Sequence, residues 1–221
     1  MEYNPTNISE SQPERPNFTN EVKQFYNGDF KKLFVVFFTD PFDGVRAIFN
    51  TPSDKSFVQA LILFGSVFVI YFLGGYLIAG QMREYMNFTA FLQIALIPAL
   101  VMVSISGFSF AIKSVFGKAN FKSELLTGGL CGIPLALTIL LILIGKIFGN
   151  GTDLISIYQN PMAAGSIMML IMVYLLLMII NVFYQSLTAG GTKYLLAWYL
   201  SPLGVMLSFY VAFNVANNLL N

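Results

Sequence analysis

Asn181 and Gln185 are the polar residues best placed to act on a substrate within an apolar part of the chain. They are four residues apart, so they would lie on the same face of a helix. Two amide side chains on one face can line a path for a polar solute, or they can form hydrogen bonds to a neighbouring helix. The sequence leaves both interpretations open.

Residues that catalysis usually requires are scarce. The chain has no histidine, which excludes an H-E-x-x-H zinc site and a serine–histidine hydrolase. Its apolar stretches contain no pair of acids for an intramembrane aspartyl protease, and no G-x-x-x-x-G-K-[ST] loop is present for nucleotide phosphates. The single cysteine, Cys131, cannot form an intrachain disulfide. We therefore expect no catalytic residues, no cofactor and no metal ion.

The distribution of charge indicates a membrane protein. The chain is 56% hydrophobic with a mean hydropathy of +0.69, and only 10% of its residues are charged, whereas soluble domains carry about 25%. Long apolar stretches follow Lys55, and each is long enough to cross the hydrocarbon core of a bilayer. The ionisable side chains beyond Lys55 are Arg83, Glu84, Lys113, Lys118, Lys122, Glu124, Lys146, Asp153 and Lys193.

These features predict an all-α polytopic integral membrane protein, a five-helix transmembrane bundle with an N-terminal amphipathic interfacial lead-in. Polar composition predicts a disordered cytoplasmic tail, and a three- and four-residue aromatic period predicts the lead-in. The predicted segments are a tail at 1–20, a lead-in at 21–55, and a transmembrane domain at 56–217 with spans at 56–79, 88–112, 125–145, 161–184 and 194–216.

Aromatic and basic side chains in the lead-in suggest contact with the membrane surface. In one interpretation the lead-in lies in the interface, with aromatic side chains facing the lipid and lysines facing water. In the other, it packs on the ends of the protein's own spans. A short second helix would begin at Pro41, with Asp40 as its N-cap. The residues assigned to the interface are Lys31, Lys32, Phe37, Phe38 and Arg46.

Basic residues predict the orientation in the membrane. Because five spans alternate in direction, the segment before the first span shares a side with the second and fourth loops. Of the 12 Lys and Arg residues, only Arg83 and Lys146 fall on the opposite side. The positive-inside rule then predicts a cytoplasmic N-terminus and an external C-terminus.

Small residues at four-residue spacing predict close helix packing in two spans. Such stripes allow the backbones of neighbouring helices to approach, which is how helices associate within lipid. The partner can be another span of the same chain or a second subunit. The residues are Gly128 and Gly132 in the third span, and Gly204, Ser208, Ala212 and Ala216 in the fifth.

Two stretches of the chain resemble the Yip family, named for proteins that interact with Ypt/Rab GTPases. DPFDGVRAIFNTPSDKSFVQAL is similar to the proline-flanked lead-in of bacterial-type members, and GKANFKSELLTGGLCGIPLAL carries a basic loop into the third span. Gly129 and Pro134 match the family's glycine–tyrosine–x–x–x–proline element, although Leu130 replaces the tyrosine. The resemblance covers most of residues 34–216.

The resemblance implies a five-span bundle that acts as an adaptor or scaffold and not as an enzyme. Eukaryotic relatives work in vesicle traffic with GTPase partners, but this chain lacks their acidic-leucine-x-glycine-proline segment. The bacterial type therefore fits better, and a Rab-type GTPase is a doubtful partner. The resemblance then implies a bacterial cytoplasmic membrane, or the endoplasmic reticulum or Golgi if the source is eukaryotic.

Three functional hypotheses follow from these features. The first is a Yip-type adaptor in membrane organisation or a trafficking-like process, with the bilayer and other membrane proteins, or a second copy, as partners. The second is the membrane subunit of an exporter or a small uncoupled permease, motivated by Asn181, Gln185 and the prolines within the spans. The third is membrane bending by a lead-in that inserts as a wedge. Nucleic acid is not an expected partner, because the net charge is only +1.

Overall fold

The computed structural model describes residues 18–50, 53–148 and 161–220. This part of the chain is helical and contains no β-strand. A π-helical turn, Phe25–Asp29, joins α1 to α2, and a 3₁₀ turn, Gly80–Tyr85, follows α4. The α-helices are α1 (Phe18–Gln24), α2 (Phe30–Thr39), α3 (Asp43–Phe49), α4 (Ser53–Ala79), α5 (Phe88–Phe116), α6 (Phe121–Phe148), α7 (Pro161–Ala189) and α8 (Tyr194–Leu220).

Among the described residues, the five helices α4 to α8 are long and apolar enough to cross a membrane. The protein is therefore an all-α polytopic membrane bundle, which confirms the predicted fold class. The predicted tail lies outside the described residues as far as residue 17, and α1 begins at Phe18, where tail was predicted.

The loop predicted between the second and third spans is shorter in the structure. Helix α5 continues to Phe116 and α6 begins at Phe121, past the predicted span ends at 112 and 125. Lys113 and Glu124, which fell just outside the predicted spans, therefore lie within helices. A span predicted from hydropathy stops at the first charged residue. A charged side chain can nevertheless lie inside the protein when a side chain of opposite charge pairs with it.

Helices α5 and α6 form the centre of the bundle. Helix α6 packs along α4 and also contacts α5 and α7, while α5 contacts α4, α7 and α8 as well. Helix α8 packs against α5 and α7. The inner position of α6 explains why it is buried almost without interruption from Leu126 to Ala136.

Glycines in α6 make this close packing possible. A Cβ on Gly128 would collide with the Met102 carbonyl oxygen of α5, and one on Gly132 would lie 2.6 Å from the Met102 methyl group. On the side facing α4, a Cβ on Gly129 would lie 3.2 Å from the Cα of Ala60. Pro134 is also buried, within a helix that continues past it.

The small-residue stripe of α8 faces the inside of the bundle. A Cβ on Gly204 would lie 2.8 Å from the ring of Phe183 in α7. Ser208, Ala212 and Ala216 are all buried, and the Ser208 hydroxyl donates to the Gly204 carbonyl. Within the described residues, the stripe is thus covered by other spans of the same chain.

The lead-in, α1 to α3, packs on the bundle. Phe25, Leu33, Phe37 and Val45 are buried in the same core cluster as residues of the spans, whereas Phe38 remains 41% exposed. The lead-in therefore packs on the protein's own helices, and it does so along the span as well as at its end, since Tyr26 contacts Ser66 in the middle of α4. Lysines 31 and 32 are exposed on the other side of α2.

The second helix of the lead-in does not begin as predicted. Helix α3 starts at Asp43, with Phe42 in the N-cap position, so the prediction that Asp40 caps it was wrong. The reason is that Asp40 is the C-cap of α2, where its backbone N–H donates to the Val36 carbonyl.

Replacing Gly128 by alanine should destabilise the bundle. The added methyl group meets the backbone of α5, which cannot move without shifting the helix, and overpacking of this kind costs about 1–3 kcal/mol. Gly107→Ala is the matched control, because a Cβ there meets nothing within 4 Å. Thermal unfolding in detergent, followed by size-exclusion chromatography, should show a lower midpoint for Gly128→Ala alone. Equal midpoints for the two variants would contradict the packing described here.

Candidate functional site

Two loops meet at one end of the bundle, and we call this the basic end. The loops are residues 117–120, between α5 and α6, and residues 190–193, between α7 and α8. The Lys118 backbone N–H donates to the Gly190 carbonyl over 2.8 Å. A Cβ on Gly117 would lie 2.6 Å from that same carbonyl oxygen, so the contact requires glycine at this position.

A buried ion pair lies directly beneath these loops. The Lys113 ammonium, one turn before the end of α5, is 2.8 Å from both carboxylate oxygens of Glu124, in the first turn of α6. The two side chains are only 4% and 2% exposed. The pair therefore joins two helices within the protein and away from bulk water.

Three hydroxyl groups complete the hydrogen bonding of this pair. Ser109 donates to Glu124 Oε2 over 2.6 Å, and Lys113 donates to Ser186 Oγ of α7 over 2.7 Å. Thr127 is hydrogen-bonded to Ser186 over 2.6 Å. Lys113 thus uses all three of its N–H donors, on two carboxylate oxygens and one hydroxyl. We call these five residues the buried ion-pair cluster.

Glycine at position 190 makes room for the lysine. A Cβ there would lie 2.7 Å from Cδ and 2.8 Å from Cε of Lys113. The aliphatic stem of the lysine therefore passes directly against the backbone of the second loop. Moving a charge out of water costs several kcal/mol unless a close counter-charge and hydrogen bonds replace the lost solvation, and this geometry supplies both.

The contact between Lys113 and Ser186 has the spacing of a serine–lysine nucleophile and base, but its environment does not favour that chemistry. A lysine acts as a base only when it is neutral and has a free lone pair. Lys113 instead donates its three N–H groups to the two Glu124 carboxylate oxygens and to Ser186, so it offers the serine no acceptor for a proton. Ser186 is also fully buried. In this arrangement the cluster connects α5, α6 and α7.

Helix α3 covers the cluster and is fixed by polar contacts to α7 and α8. Arg46 donates through Nε to Gln185 Oε1 over 3.2 Å and through a terminal nitrogen to the Tyr194 hydroxyl over 2.9 Å. Its guanidinium also lies 5.2 Å from the centre of the Tyr194 ring, within cation–π range. The Phe49 ring, at the end of α3, lies 5.8 Å from the Lys113 ammonium.

Asn181 and Gln185 share one helix face, and both contribute to fixing α3. Asn181 donates to the Pro41 carbonyl, just before α3, over 2.7 Å. Gln185 donates to Asn181 over 3.3 Å while it accepts from Arg46. Within the described part of the chain, the two amide side chains thus bond to the lead-in and to each other, and not to another span.

A cavity of about 280 Å³ remains between α3 and the two loops. Lys113 and Glu124 form part of its wall, together with Phe49 of α3 and residues of both loops. Among the described residues, no group of three or more His, Cys, Asp or Glu side chains is placed to hold a metal ion.

The residues that the sequence singled out fall into separate groups. Gln185, Asn181 and Arg46 come together at α3, whereas Gly129 and Pro134 lie in the packed interior of α6. Sequence reasoning missed the ion-pair cluster. A signal was available, because Ser109 precedes Lys113 by four residues and Thr127 follows Glu124 by three, which places each hydroxyl on the same helix face as its charge.

Comparison with known proteins does not extend these observations. No family model matches the chain, and no curated protein or solved structure shows similarity to it. The resemblance to the Yip family therefore stays a prediction from the residues quoted above.

Removing one partner of the ion pair should be far more damaging than removing both. Lys113→Met or Glu124→Met leaves one buried charge without its counter-charge, which costs about 3–5 kcal/mol. The double variant Lys113→Met/Glu124→Met should recover much of that loss. Thermal midpoints in detergent measure the effect, with Lys118→Met at an exposed position of the same end as the control. Single variants as stable as Lys118→Met would show that the pair contributes nothing.

Proposed function

We propose that the protein is a non-catalytic, Yip-type integral membrane adaptor or scaffold that holds a partner protein at its basic end. It acts in membrane organisation or in a trafficking-like process. Its partner is another membrane protein or a second copy of this chain, and the bilayer surrounds its spans.

The observation that carries this proposal is the use of the polar side chains inside the bundle. Lys113, Glu124 and Ser186 are hydrogen-bonded to one another, and Asn181 and Gln185 are bonded to the lead-in. These groups hold helices and loops in fixed positions. An arrangement of this kind supports a role in presenting a surface more than a role in handling a substrate.

The surface presented at the basic end has a definite charge. Lys118 and Lys193 are exposed on the two loops, beside Asn120 and the outer side of α3. The two loops are joined through the backbone bond between Lys118 and Gly190. Because the two loops are held in position, a partner with an acidic patch could bind these lysines without first ordering a flexible segment. Binding to preorganised charges has a lower entropy cost.

The alternative function is an exporter subunit or a small uncoupled permease, and one of the two observations that suggested it no longer supports it. It rested on Asn181 and Gln185 as groups that line a path, and both amides are occupied by the lead-in. The prolines within α5, α6 and α8 remain, but each lies in a helix that continues past it.

We further propose that the basic end faces the cytoplasm, as the count of Lys and Arg residues supports. The C-terminus then lies outside, and the membrane is a bacterial cytoplasmic membrane, or that of the endoplasmic reticulum or Golgi in a eukaryote.

Single cysteines should report this orientation. Cys131 is fully buried, and Cys131→Ala removes the only native thiol. In that background, Glu84→Cys should react with an impermeant maleimide on intact cells or spheroplasts, whereas Asn120→Cys should react only after permeabilisation. Both positions are exposed in the protein. The reverse pattern would invert the proposed orientation.

Charge inversion at the basic end should release the partner. We expect Lys118→Glu/Lys193→Glu to lower its recovery by at least about tenfold, since like charges facing each other cost several kcal/mol across an interface. Glu84→Lys, an inversion at the opposite end, should leave recovery unchanged. Crosslinking in native membranes, purification in mild detergent and quantitative protein identification measure the effect. If no stoichiometric partner is recovered with the unaltered protein, or if both variants recover it equally, the adaptor proposal fails.

A further inference from the structure

The largest of the cavities described here lies between the lead-in and the lipid-facing side of two spans. Its volume is about 580 Å³. One wall is α4 from Leu61 to Ile70, a second is α6 from Gly132 to Leu140, and the third is the underside of α1 and α2. Both long walls belong to helices that can cross a membrane. The medium next to this cavity is therefore hydrocarbon.

The lining of this cavity offers almost nothing to water. The lead-in contributes Tyr26, Phe30 and Phe34, and most of the remaining lining is aliphatic. Its hydroxyl groups pair with each other: Ser66 donates to the Ile62 carbonyl, so Tyr26 donates to Ser66 over 2.6 Å. Because no lining hydroxyl lacks a partner, a water molecule would find few bonds there, and apolar cavities of this kind stay dry.

The shape of the cavity suits one hydrocarbon chain. Its α4 wall runs over nine residue steps, or roughly 13 Å at 1.5 Å per residue. Gly65 widens this wall, because a Cβ at that position would meet nothing within 4 Å. On either side, Leu61 and Val69 are 44% and 52% exposed. The cavity therefore opens sideways, toward the lipid.

The charges around the cavity are complementary to an anionic headgroup. Between Val22 and Phe34 the lead-in carries Lys23, Lys31 and Lys32, and all three are exposed. The acid within that stretch, Asp29, is neutralised by Lys55 at 3.0 Å. The lysines lie on other faces of the helix than the cavity-lining positions 22, 26, 30 and 34, which share one face. A basic segment beside an apolar cavity is the arrangement that attracts anionic lipids.

We propose that this cavity binds one anionic phospholipid, with an acyl chain between the lead-in and α4 and α6 and with the phosphate beside the lysines of the lead-in. The bound lipid fills the space under α1 and α2 and so fixes the lead-in against the spans. This site is separate from the basic end, and it stands whether or not a protein partner binds there.

Native mass spectrometry of the full chain in mild detergent tests the proposal. The unaltered protein should retain one phospholipid with an anionic headgroup. Gly65→Leu, which fills the cavity, should abolish retention, whereas Gly107→Leu should not, although Gly107 is also an exposed helical glycine with open space at its Cβ. Absence of lipid from the unaltered protein, or equal retention by the two variants, would overturn the proposal.

Two further measurements guard against variants that fail to fold. A phospholipid with a photoreactive acyl chain, incorporated in membranes with the unaltered protein, should crosslink to residues 22–34, 61–70 and 132–140 above other lipid-facing segments. Uniform labelling of the spans would indicate bulk lipid only and would overturn the site. Lys23→Gln/Lys31→Gln/Lys32→Gln should still retain a phospholipid but lose the preference for phosphatidylglycerol over phosphatidylcholine. An unchanged preference would remove the lysines from the site.

Discussion

The attraction between Lys113 and Glu124, away from solvent, organises one end of this membrane protein. Neither charge is stable there alone, so α5 and α6 must turn back on each other within residues 117–120 to bring them together. Ser186 extends the requirement to α7, since it accepts the third lysine donor. Glycine at 190 follows, because the lysine stem occupies the place of a side chain. Helix α3 then lies over the assembled cluster through Arg46 and Phe49.

Away from the ion pair, close contacts between helix backbones hold the bundle together. Lipid gives apolar helices no hydrophobic reason to associate, so contact area and fit must hold them together. Gly128 and Gly132 bring α5 within reach of α6, Gly129 does the same for α4, and Gly204 admits the Phe183 ring between α8 and α7. The bundle thus combines the Lys113–Glu124 pair at its end with small-residue contacts along its length.

The sequence predicts the helices of this protein better than the contacts between them. Long apolar stretches of ordinary span length predicted the five spans, because that signal depends on length and composition alone. The predicted second and third spans stopped short of the ends of α5 and α6, because hydropathy alone gives no sign that Lys113 and Glu124 pair with each other. The pairing of Asn181 with Gln185 was visible from their spacing, but their partners Pro41 and Arg46 lie some 140 residues away. The glycine stripes predicted close packing, and only the fold decides which helix approaches each one.

The order in which the chain is synthesised gives the buried cluster a further consequence. Lys113 and Glu124 leave the ribosome only 11 residues apart, so the α5–α6 hairpin can enter the membrane with its charges already neutralised. Ser186 emerges much later, in α7, and until then one lysine donor lacks its protein acceptor. Until the fourth span arrives, a water molecule at the end of the hairpin can accept that third hydrogen bond. The cluster is therefore assembled in two steps. The ion pair can form first, and Ser186 completes its hydrogen bonds when α7 has been synthesised.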